Sequence, residues 1–434
     1  MNFKHKNILV YGVSLSGEWC IKLLNKLKAN TFCYDDNKDK LAETRDCFIV
    51  NELSEDLISQ FDSIIVSPSV EKANKFLLIA KKLKIKIYSE LEFASLFCKK
   101  YVAVTGTNGK TTTVQLITAI LSKKHKAIAC GNIGYPVSRA VLNNKREIKV
   151  IEVSSFMLEN AETFSPHVAT ILNIEADHLI RHKSMSEYKA LKLSILKNLK
   201  PKDFAVVNLD DKIDLNVPAK KITYSFNHLA DVYQKGGYIY AKNKKFIALN
   251  EITLKGKHNV CNIMCAICYA LIYKIPLNLI REAILNFTQE HFRMEKIATV
   301  NNIKFVNDSK STNIASTLAC VDSVDGAIIL LLGGSNNGLK FDKFFVKLSK
   351  RVKQIVGFGE IASDLEKANK EKFNFKVCKD LKEAFDFAIS VALPNDTILL
   401  SPASASYDQF KNYVERGKLF NEKVKEYADS FQKE

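Results

Sequence analysis

One loop limits what this chain can fold into more than any other feature. The segment VTGTNGKTT, Val104 to Thr112, stands between the strand-like run YVAV and a helix-like run. A loop of this kind directs backbone N–H groups and a helix N-terminus at phosphate oxygens. Lys110 would add positive charge at the terminal phosphates, and Thr111 would offer a hydroxyl to Mg²⁺. Val104 replaces the first glycine of the general pattern. A turn that only caps a helix is the alternative, but it gives no reason for the Lys-Thr pair.

Strand-like and helix-like runs alternate along the chain, which predicts an α/β fold. The alternation begins with NILVYG, restarts at YVAVTG and restarts again at KFVNDSK. A length of 434 residues also exceeds one core of ordinary size. We therefore expect three domains: a Rossmann-like domain at 1–96, a central P-loop ATPase-like domain with a parallel sheet at 97–292, and a second Rossmann-like domain at 293–434.

Composition excludes several classes of protein. No apolar run reaches the ~20 residues that cross a bilayer, and the first residues resemble no signal peptide, so we expect a cytoplasmic protein. The ten cysteines lack the paired spacings of a disulfide framework, which indicates reduced thiols. The net charge of +17 is spread along helix faces and loops, without the signature of a nucleic-acid-binding module. We expect no nucleic-acid partner, and the charge also suits small anionic substrates.

Further polar residues of the central region follow strand-like runs. Glu152 comes at the end of KVIE, where a carboxylate can reach a metal ion beside a phosphate loop. His178 follows the run VATILNIEA and can ligate a metal, although a histidine there is more often an ordinary polar residue. Lys192 by itself indicates a solvated helix lysine. The phosphate loop alone would suit a kinase, an ATPase or a ligase, so the rest of the central region must discriminate between them.

Eight motifs stand in order along nearly the whole chain: GTNGKTT, EVSSFMLE, ILNIEADHL, the YKALK helix, VVNLDD, LKGKHNVCN, NDSKSTN and LSPASASYDQFKNYVERG. Together they resemble the motifs of the Mur ligases. The last motif and the short first domain are similar to the D-glutamate-adding branch. The resemblance implies that ATP phosphorylates the carboxylate of UDP-N-acetylmuramoyl-L-alanine and that the amine of D-glutamate attacks the acyl phosphate, in peptidoglycan precursor assembly. It also leads us to expect a monomer.

The resemblance implies roles for particular residues. ATP would meet Gly106, Thr107, Asn108, Gly109, Lys110, Thr111, Thr112, Asn259, Asn262, Arg293 and Asp308. Two Mg²⁺ ions would be held, one by Thr111 and Glu152 and the other by His178 and a carbamate on Lys192. Lys110, Glu152, His178 and Lys192 would be the catalytic residues. The UDP substrate would meet Leu15, Ser16, Asp35 and Asn132, and the amino acid would meet Lys310, Thr312, Ser406 and Tyr413. For Asn259, a helix N-cap is the alternative role.

Some positions depart from the family pattern. Ile180 stands where an aspartate is usual, and Phe292 takes the place of the histidine before Arg293. Asn337 occupies the position of a lysine that pairs with the side-chain carboxylate of D-glutamate. Lys340 could reach that carboxylate instead, or neutral donors could hold it with weaker bonds.

Three other functions compete with this hypothesis. Another ligase of the family, or a folate-type polyglutamate ligase, would add a different amino acid. A nucleotide-binding relative without turnover would be expected to have lost its metal ligands, yet Lys110, Thr111, Glu152, His178 and Lys192 are all present. A nucleic-acid-stimulated ATPase is suggested only by the net charge and would not depend on an amino acid.

Overall fold

The computed structural model describes residues 2–143, 147–175, 179–211, 213, 216–288, 291–336, 341 and 344–431, with only the backbone at 179, 180 and 315. The chain forms three β-sheets with helices between their strands, which confirms the α/β fold class. Two compact units can be distinguished. The first (1–174, 181–252 and 261–287) holds the first two sheets, and the second (175–180, 253–260 and 288–434) holds the third. The boundaries of the three expected domains remain a prediction.

The first sheet has five parallel strands in the order β3-β2-β1-β4-β5, the order of a Rossmann-like half. Its strands are β1 (Asn7–Tyr11), β2 (Asn30–Tyr34), β3 (Phe48–Ile49), β4 (Ser63–Val66) and β5 (Lys86–Ser89). Its helices are α1 (Leu15–Lys26), α2 (Lys38–Glu43), α3 (Glu55–Ile58), α4 (Lys75–Lys82) and α5 (Glu90–Ser95). The central strand β1 is buried from Ile8 onward, because helices cover both faces of the sheet.

The second sheet has nine strands in the order β14-β13-β12-β11-β10-β9-β6-β8-β7. They are β6 (Tyr101–Thr105), β7 (Ala127–Gly131), β8 (Ile148–Glu152), β9 (Val168–Ile171), β10 (Phe204–Asn208), β11 (Lys220–Ser225), β12 (Val232–Lys235), β13 (Tyr238–Ala241) and β14 (Lys244–Ala248). All neighbours are parallel except β12–β13 and β13–β14. The carboxyl ends of β6, β8 and β9 therefore lie at one edge of the sheet, and the phosphate loop follows β6.

Helices of the central region connect these strands or follow them. They are α6 (Lys110–Leu121), α7 (Val137–Asn143), α8 (Ser155–Leu158), α9 (Leu179–His182), α10 (Met185–Leu193), α11 (Lys257–Ile272) and α12 (Leu277–Leu285), with a 3₁₀ turn at Ser194–Leu196. Among the described residues, no helix combines the length and the apolar character that crossing a membrane requires.

The third sheet has six strands in the order β15-β16-β20-β17-β18-β19, all parallel except the β15–β16 pair. They are β15 (Glu295–Val300), β16 (Ile303–Asn307), β17 (Ile328–Gly333), β18 (Val352–Phe358), β19 (Phe375–Cys378) and β20 (Thr397–Ala403). The helices are α13 (Ile314–Ser323), α14 (Phe344–Lys347), α15 (Ala362–Asn369), α16 (Leu381–Val391) and α17 (Tyr413–Phe431). Two apolar clusters pack against this sheet, with Leu330 in one and Leu331 in the other, because successive side chains point to opposite faces.

The last helix begins later than the sequence pattern predicts. The helix-like run QFKNYVERGKLF predicts a helix from Gln409 onward, whereas α17 begins at Tyr413. The side chain of Asn412 accepts hydrogen bonds from the backbone nitrogens of Val414 (3.0 Å) and Glu415 (3.1 Å). Asn412 is therefore an N-cap, which fixes the start of the helix.

Candidate active site

The loop between β6 and α6 requires glycine at two positions. Gly106 has φ +155° and Gly109 has φ +81°, values that other residues rarely adopt. A Cβ atom at Gly109 would also lie 2.5 Å from Oδ1 of Asn262 on α11. Asn262, an expected ATP contact, thus lies directly against the loop. The loop opens into the twelve-residue helix α6, whose first N–H groups face the loop as an anion site requires.

Two lysines converge on this loop. Nζ of Lys110 donates to the carbonyl oxygens of Gly106 (2.9 Å) and Thr107 (2.7 Å). Nζ of Lys192, on α10, donates to the same Gly106 oxygen at 2.8 Å, and the side chain is buried. The expectation of a solvated helix lysine is therefore wrong for Lys192. Two ammonium groups at one loop carbonyl concentrate positive charge where phosphates would bind.

Asn173 and Tyr188 support the loop and were not singled out in the sequence. The backbone nitrogen of Asn108 donates to Oδ1 of Asn173 (2.8 Å), and Nδ2 of Asn173 donates to the carbonyl of Asn108 (3.2 Å). The Asn173 carbonyl also accepts from the backbone nitrogen of Thr107 (3.0 Å), whose hydroxyl lies 3.1 Å from that of Tyr188. The sequence feature that could have indicated Asn173 is its position shortly after β9, because β9 pairs in parallel with β6.

Glu152 ends β8, beside β6, and is buried. Its Oε1 accepts from Nδ2 of Asn132 (2.9 Å), whereas its buried Oε2 has no hydrogen-bond partner among the described residues. A buried carboxylate oxygen without a donor is costly unless a cation neutralises it. The arrangement therefore fits a Mg²⁺ ligand, and the nearby loop supplies the hydroxyl of Thr111. Asn132, an expected contact of the UDP substrate, thus donates its side-chain amide to Glu152.

Three of the expected contacts of the UDP substrate lie just after β1 and β2, at the start of α1 and at Asp35. Oδ2 of Asp35, after β2, accepts from the backbone nitrogen of Val13 (2.8 Å), and its Oδ1 accepts from that of Asn37 (2.8 Å). Leu15 is exposed and Ser16 half-buried in the first turn of α1. The structure thus ties Asp35 to the loop that leads to Leu15 and Ser16, at the carboxyl edge of the first sheet. Such an edge is where open α/β sheets bind ligands.

Asp308, after β16, is the most enclosed of the expected residues in the second unit. It accepts hydrogen bonds from the backbone nitrogen of Met294 (3.1 Å) and from the hydroxyls of Ser401 (2.8 Å) and Ser311. Burial raises the pKa of Asp308, although these hydroxyls and the charge of Arg293 oppose the shift. Nε of Arg293 is buried without a hydrogen-bond partner among the described residues.

The remaining expected amino-acid contacts lie after β16, after β20 and at the start of α17, where the sequence did not single out Arg416. Nζ of Lys310 lies 5.4 Å from the centre of the Tyr413 ring, Thr312 is half-buried, and Ser406 is buried. Arg416 on α17 is fully buried, and its guanidinium donates to the carbonyls of Gly333 (3.2 Å), Ser309 (2.9 Å), Ser404 (3.0 Å) and Ala405 (3.4 Å). Burial lowers its pKa to about 9, against the charges of Asp408 and Asp308. Arg416 therefore joins the loops after β16, β17 and β20.

The structure also gives contacts for Asn259 and Phe292. Asn259 is the third residue of α11, so it is not the N-cap of that helix; its Nδ2 donates to the carbonyl of Lys255 (2.9 Å). The ring of Phe292 packs so closely on Gly417 that a Cβ there would lie 2.3 Å from it. His178, Asn337, Lys340 and the side chain of Ile180 lie outside the described residues.

The fold and the loop together define an α/β protein that binds nucleotide phosphates, with a metal-compatible carboxylate beside the loop. The family profile described as Mur ligase middle domain matches residues 104–270, and that described as Mur ligase, glutamate ligase domain matches 292–404. Two relatives named UDP-N-acetylmuramoylalanine–D-glutamate ligase come from Caldicellulosiruptor saccharolyticus and Clostridioides difficile. Each is 35% identical over 98% of this chain, and the match covers 100% and 99% of the respective relative. The chain belongs to the Mur ligase family.

Solved structures of the same family share the fold. The UDP-N-acetylmuramate-alanine ligase MurC of Thermotoga maritima has a TM-score of 0.61 at 17% identity, covering 98% of this chain and 100% of its own. The MurF ligase of the same organism, in complex with ADP, has a TM-score of 0.62 at 17% identity, covering 97% and 96%. These similarities confirm the α/β fold class that the sequence predicted.

Proposed function

We propose that this chain is an ATP-dependent, ADP-forming ligase that joins D-glutamate to UDP-N-acetylmuramoyl-L-alanine, a step of bacterial cell-wall biosynthesis. The observation that carries the proposal is the convergence of Lys110, Lys192 and the half-satisfied carboxylate of Glu152 on one phosphate loop. The full-length relatives with that activity support the choice of substrates. We further propose a monomer that works in the cytoplasm.

The first step transfers the terminal phosphoryl group of ATP to the L-alanine carboxylate of the acceptor. The loop from Gly106 to Thr112 would bind the phosphates through its backbone N–H groups, and Lys110 would neutralise the charge that develops on the transferred group. Thr111 and Glu152 would hold one Mg²⁺, which when bound screens the repulsion between the phosphates and the incoming carboxylate. Asn262, against Gly109, and Asn259 with Arg293 and Asp308 complete the proposed ATP contacts.

Lys192 would serve a second Mg²⁺ together with His178 once its amine carries a carbamate. The neutral Nζ attacks carbon dioxide, an N–C bond forms and one proton is released, so a cation becomes an anionic oxygen ligand. The burial of Lys192 and its hydrogen bond to the Gly106 carbonyl support this proposal, because they hold Nζ at the phosphate loop. The carbamate and the two metal sites remain proposals.

The acceptor and the amino acid would bind on the other two sheets. Leu15, Ser16 and Asp35 would hold the uracil ring, and Asn132 would act next to Glu152 at the diphosphate side. Lys310, Thr312, Ser406 and Tyr413 would bind D-glutamate, whose amine attacks the acyl phosphate and releases phosphate. Exclusion of water would protect the acyl phosphate until that attack.

The test is phosphate release from ATP with UDP-N-acetylmuramoyl-L-alanine and one amine at a time: D-glutamate, L-glutamate, L-alanine, glycine or a diamino acid. We expect release with D-glutamate alone, despite Asn337 in the usual lysine position. Release with another amine would keep the ligase chemistry and reassign the substrate. No release with any amine would instead support a nucleotide-binding relative without turnover.

A further inference from the structure

A cavity of about 370 Å³ lies at the amino ends of β6, β7 and β8. Its walls include Lys99 and Lys100 before β6, Lys126 before β7, and Glu147 before β8. His125 and Tyr273 complete the polar lining. The phosphate loop follows the carboxyl end of β6, so the cavity and the loop are at opposite edges of the same sheet. The cavity therefore belongs to no site described above.

The sheet fixes the positions of these wall segments. The carbonyl of Lys126 accepts from the backbone nitrogen of Ile148 (2.8 Å), and the carbonyl of Lys100 accepts from that of Lys149 (3.3 Å). These bonds join the starts of three adjacent strands, so the lining residues on them have little freedom to separate. A ligand would therefore meet a preformed site, without the entropy cost of ordering its walls.

Two aromatic rings close the other side. His125 follows α6, where its backbone nitrogen donates to the carbonyl of Leu121 (2.8 Å), and Tyr273 follows α11 in the same manner, on Tyr269 (3.1 Å). The rings of His125 and Tyr273 meet edge to face with their centres 5.8 Å apart. Each ring is thus held by the end of a long helix.

Three buried polar atoms of residues that line this cavity lack hydrogen-bond partners among the described residues. They are Nε2 of His125, Oε2 of Glu147 and the hydroxyl oxygen of Tyr273. Folded proteins leave few such atoms unsatisfied, because each costs about 1–3 kcal/mol. Three around one cavity indicate that a bound molecule or ordered water completes their hydrogen bonds.

We propose that this cavity binds a small anion that also carries hydroxyl groups, such as a phosphorylated or carboxylated polyol. Lys99, Lys100 and Lys126 supply positive charge for the anionic group. The carboxylate of Glu147 can only accept when ionised, so the ligand must donate to it, as a hydroxyl does. The proposal is separate from the ligase activity and does not depend on it.

Two further features agree with this chemistry. Burial raises the pKa of Tyr273 to about 12, so its hydroxyl keeps its proton at neutral pH and can donate to the anion. Nζ of Lys149 donates to the carbonyl oxygen of Glu147 at 3.3 Å, which brings a fourth lysine next to the cavity.

Calorimetric titration of the full chain with sn-glycerol 3-phosphate tests the proposal, with saturating ADP and Mg²⁺ present so that the phosphate loop is occupied. We expect saturable binding below about 10 mM. Glycerol alone and inorganic phosphate alone should bind more weakly, since each lacks half of the recognised groups. Tyr273→Phe should weaken binding roughly tenfold, because it removes one buried hydrogen bond to the ligand.

Tyr240→Phe is the matched control. Tyr240 stacks on Tyr233 with ring centres 5.0 Å apart and does not line the cavity, so its variant should bind as the wild type does. Thermal unfolding would verify that every variant is folded. Absence of saturable binding to the wild type would overturn the proposal and indicate a water-filled cavity. Equal affinities of the wild type and Tyr273→Phe would overturn it as well, as would inorganic phosphate binding as tightly as the polyol phosphate.

Discussion

Asn173 offers a direct way to test how the phosphate loop keeps its shape. Its side chain makes two hydrogen bonds with the backbone of Asn108, at 2.8 and 3.2 Å, and Asn173→Ala removes both. A net contribution of about 0.5–1.5 kcal/mol for each bond gives about 1–3 kcal/mol in favour of a disordered loop. If only the ordered loop binds phosphates and the variant loop is mostly disordered before binding, the affinity for ADP should fall by up to roughly 5- to 150-fold.

The assay is calorimetric titration of ADP in the presence of Mg²⁺, together with urea unfolding of each variant. Asn198→Ala is the matched control, since the Nδ2 of half-buried Asn198 donates to the carbonyls of Glu162 (2.7 Å) and Phe164 (3.2 Å), outside the loop. It should lower the free energy of unfolding comparably while leaving the ADP affinity near that of the wild type.

Asn173→Asp separates the two bonds. A carboxylate still accepts from the backbone nitrogen of Asn108, but it cannot donate to the Asn108 carbonyl, and it places a negative charge beside the loop. Its ADP affinity should therefore also fall, and the loss should shrink at high salt, because salt screens the added charge. An Asn173→Ala variant that binds ADP within about twofold of the wild type would refute the reasoning, because the loop would then hold its shape without these bonds.

Three further predictions concern Lys192, His258 and Arg416, whose side chains are buried or largely buried. Lys192→Ala should lower the rate of phosphate release by at least about 100-fold. Raised bicarbonate should not restore the rate, whereas added acetate should restore part of it. Full activity of this variant would exclude the carbamate. Burial, helped by the charge of Arg293, lowers the pKa of His258 from its ordinary 6.5 to about 4. The neutral imidazole therefore contributes fully to stability above about pH 6.5, and this contribution is lost as the pH falls toward 4. At pH 5 the loss should be about 2 kcal/mol, seen in urea unfolding as a steeper fall for the wild type than for His258→Asn, and equal slopes would contradict it. Arg416→Met should lower the free energy of unfolding by about 3–5 kcal/mol, because buried carbonyl oxygens lose their donor, and Arg416→Lys should recover part of it; a Met variant as stable as the wild type would show that the loops need no donor.

The sequence predicted the elements whose causes are local. β1, β6 and β17 are apolar runs bounded by turn residues, and the phosphate loop is a short motif, so each could be recognised without its surroundings. The β13–β14 hairpin was missed, because its strands are short and β14 begins with two exposed lysines. Such a strand depends on the neighbours that pair with it rather than on its own pattern.

The candidate site could be predicted only in part for the same reason. Lys110 and Glu152 follow strands directly, so the motif and the strand end locate them. The burial of Lys192 depends on how α10 packs on the loop, and the role of Arg416 depends on three loops that meet only in the folded sheet. No local pattern distinguishes either side chain from a solvated helix residue.

The junction between the first two sheets also rests on contacts that only the fold reveals. Glu90 on α5 accepts from the backbone nitrogen and hydroxyl of Ser138 at the start of α7, both at 2.7 Å, and Glu92 accepts from the backbone nitrogen of Thr163 at 2.9 Å and from its hydroxyl. Arg181 donates to the carbonyls of Pro68 (3.1 Å), Ser69 (3.2 Å) and Val70 (3.0 Å) while it pairs with Glu159.

At least seven hydrogen bonds of charged side chains therefore cross this junction, among the residues that the structure describes. At about 1.5 kcal/mol each, they oppose separation of the two sheets by on the order of 10 kcal/mol, comparable to the stability of a whole domain. Opening here would amount to local unfolding rather than a hinge motion. The proposed acceptor site at Asp35 and the phosphate loop at Lys110 are thus carried by one rigid frame, which is what transfer of a phosphoryl group between two bound substrates requires.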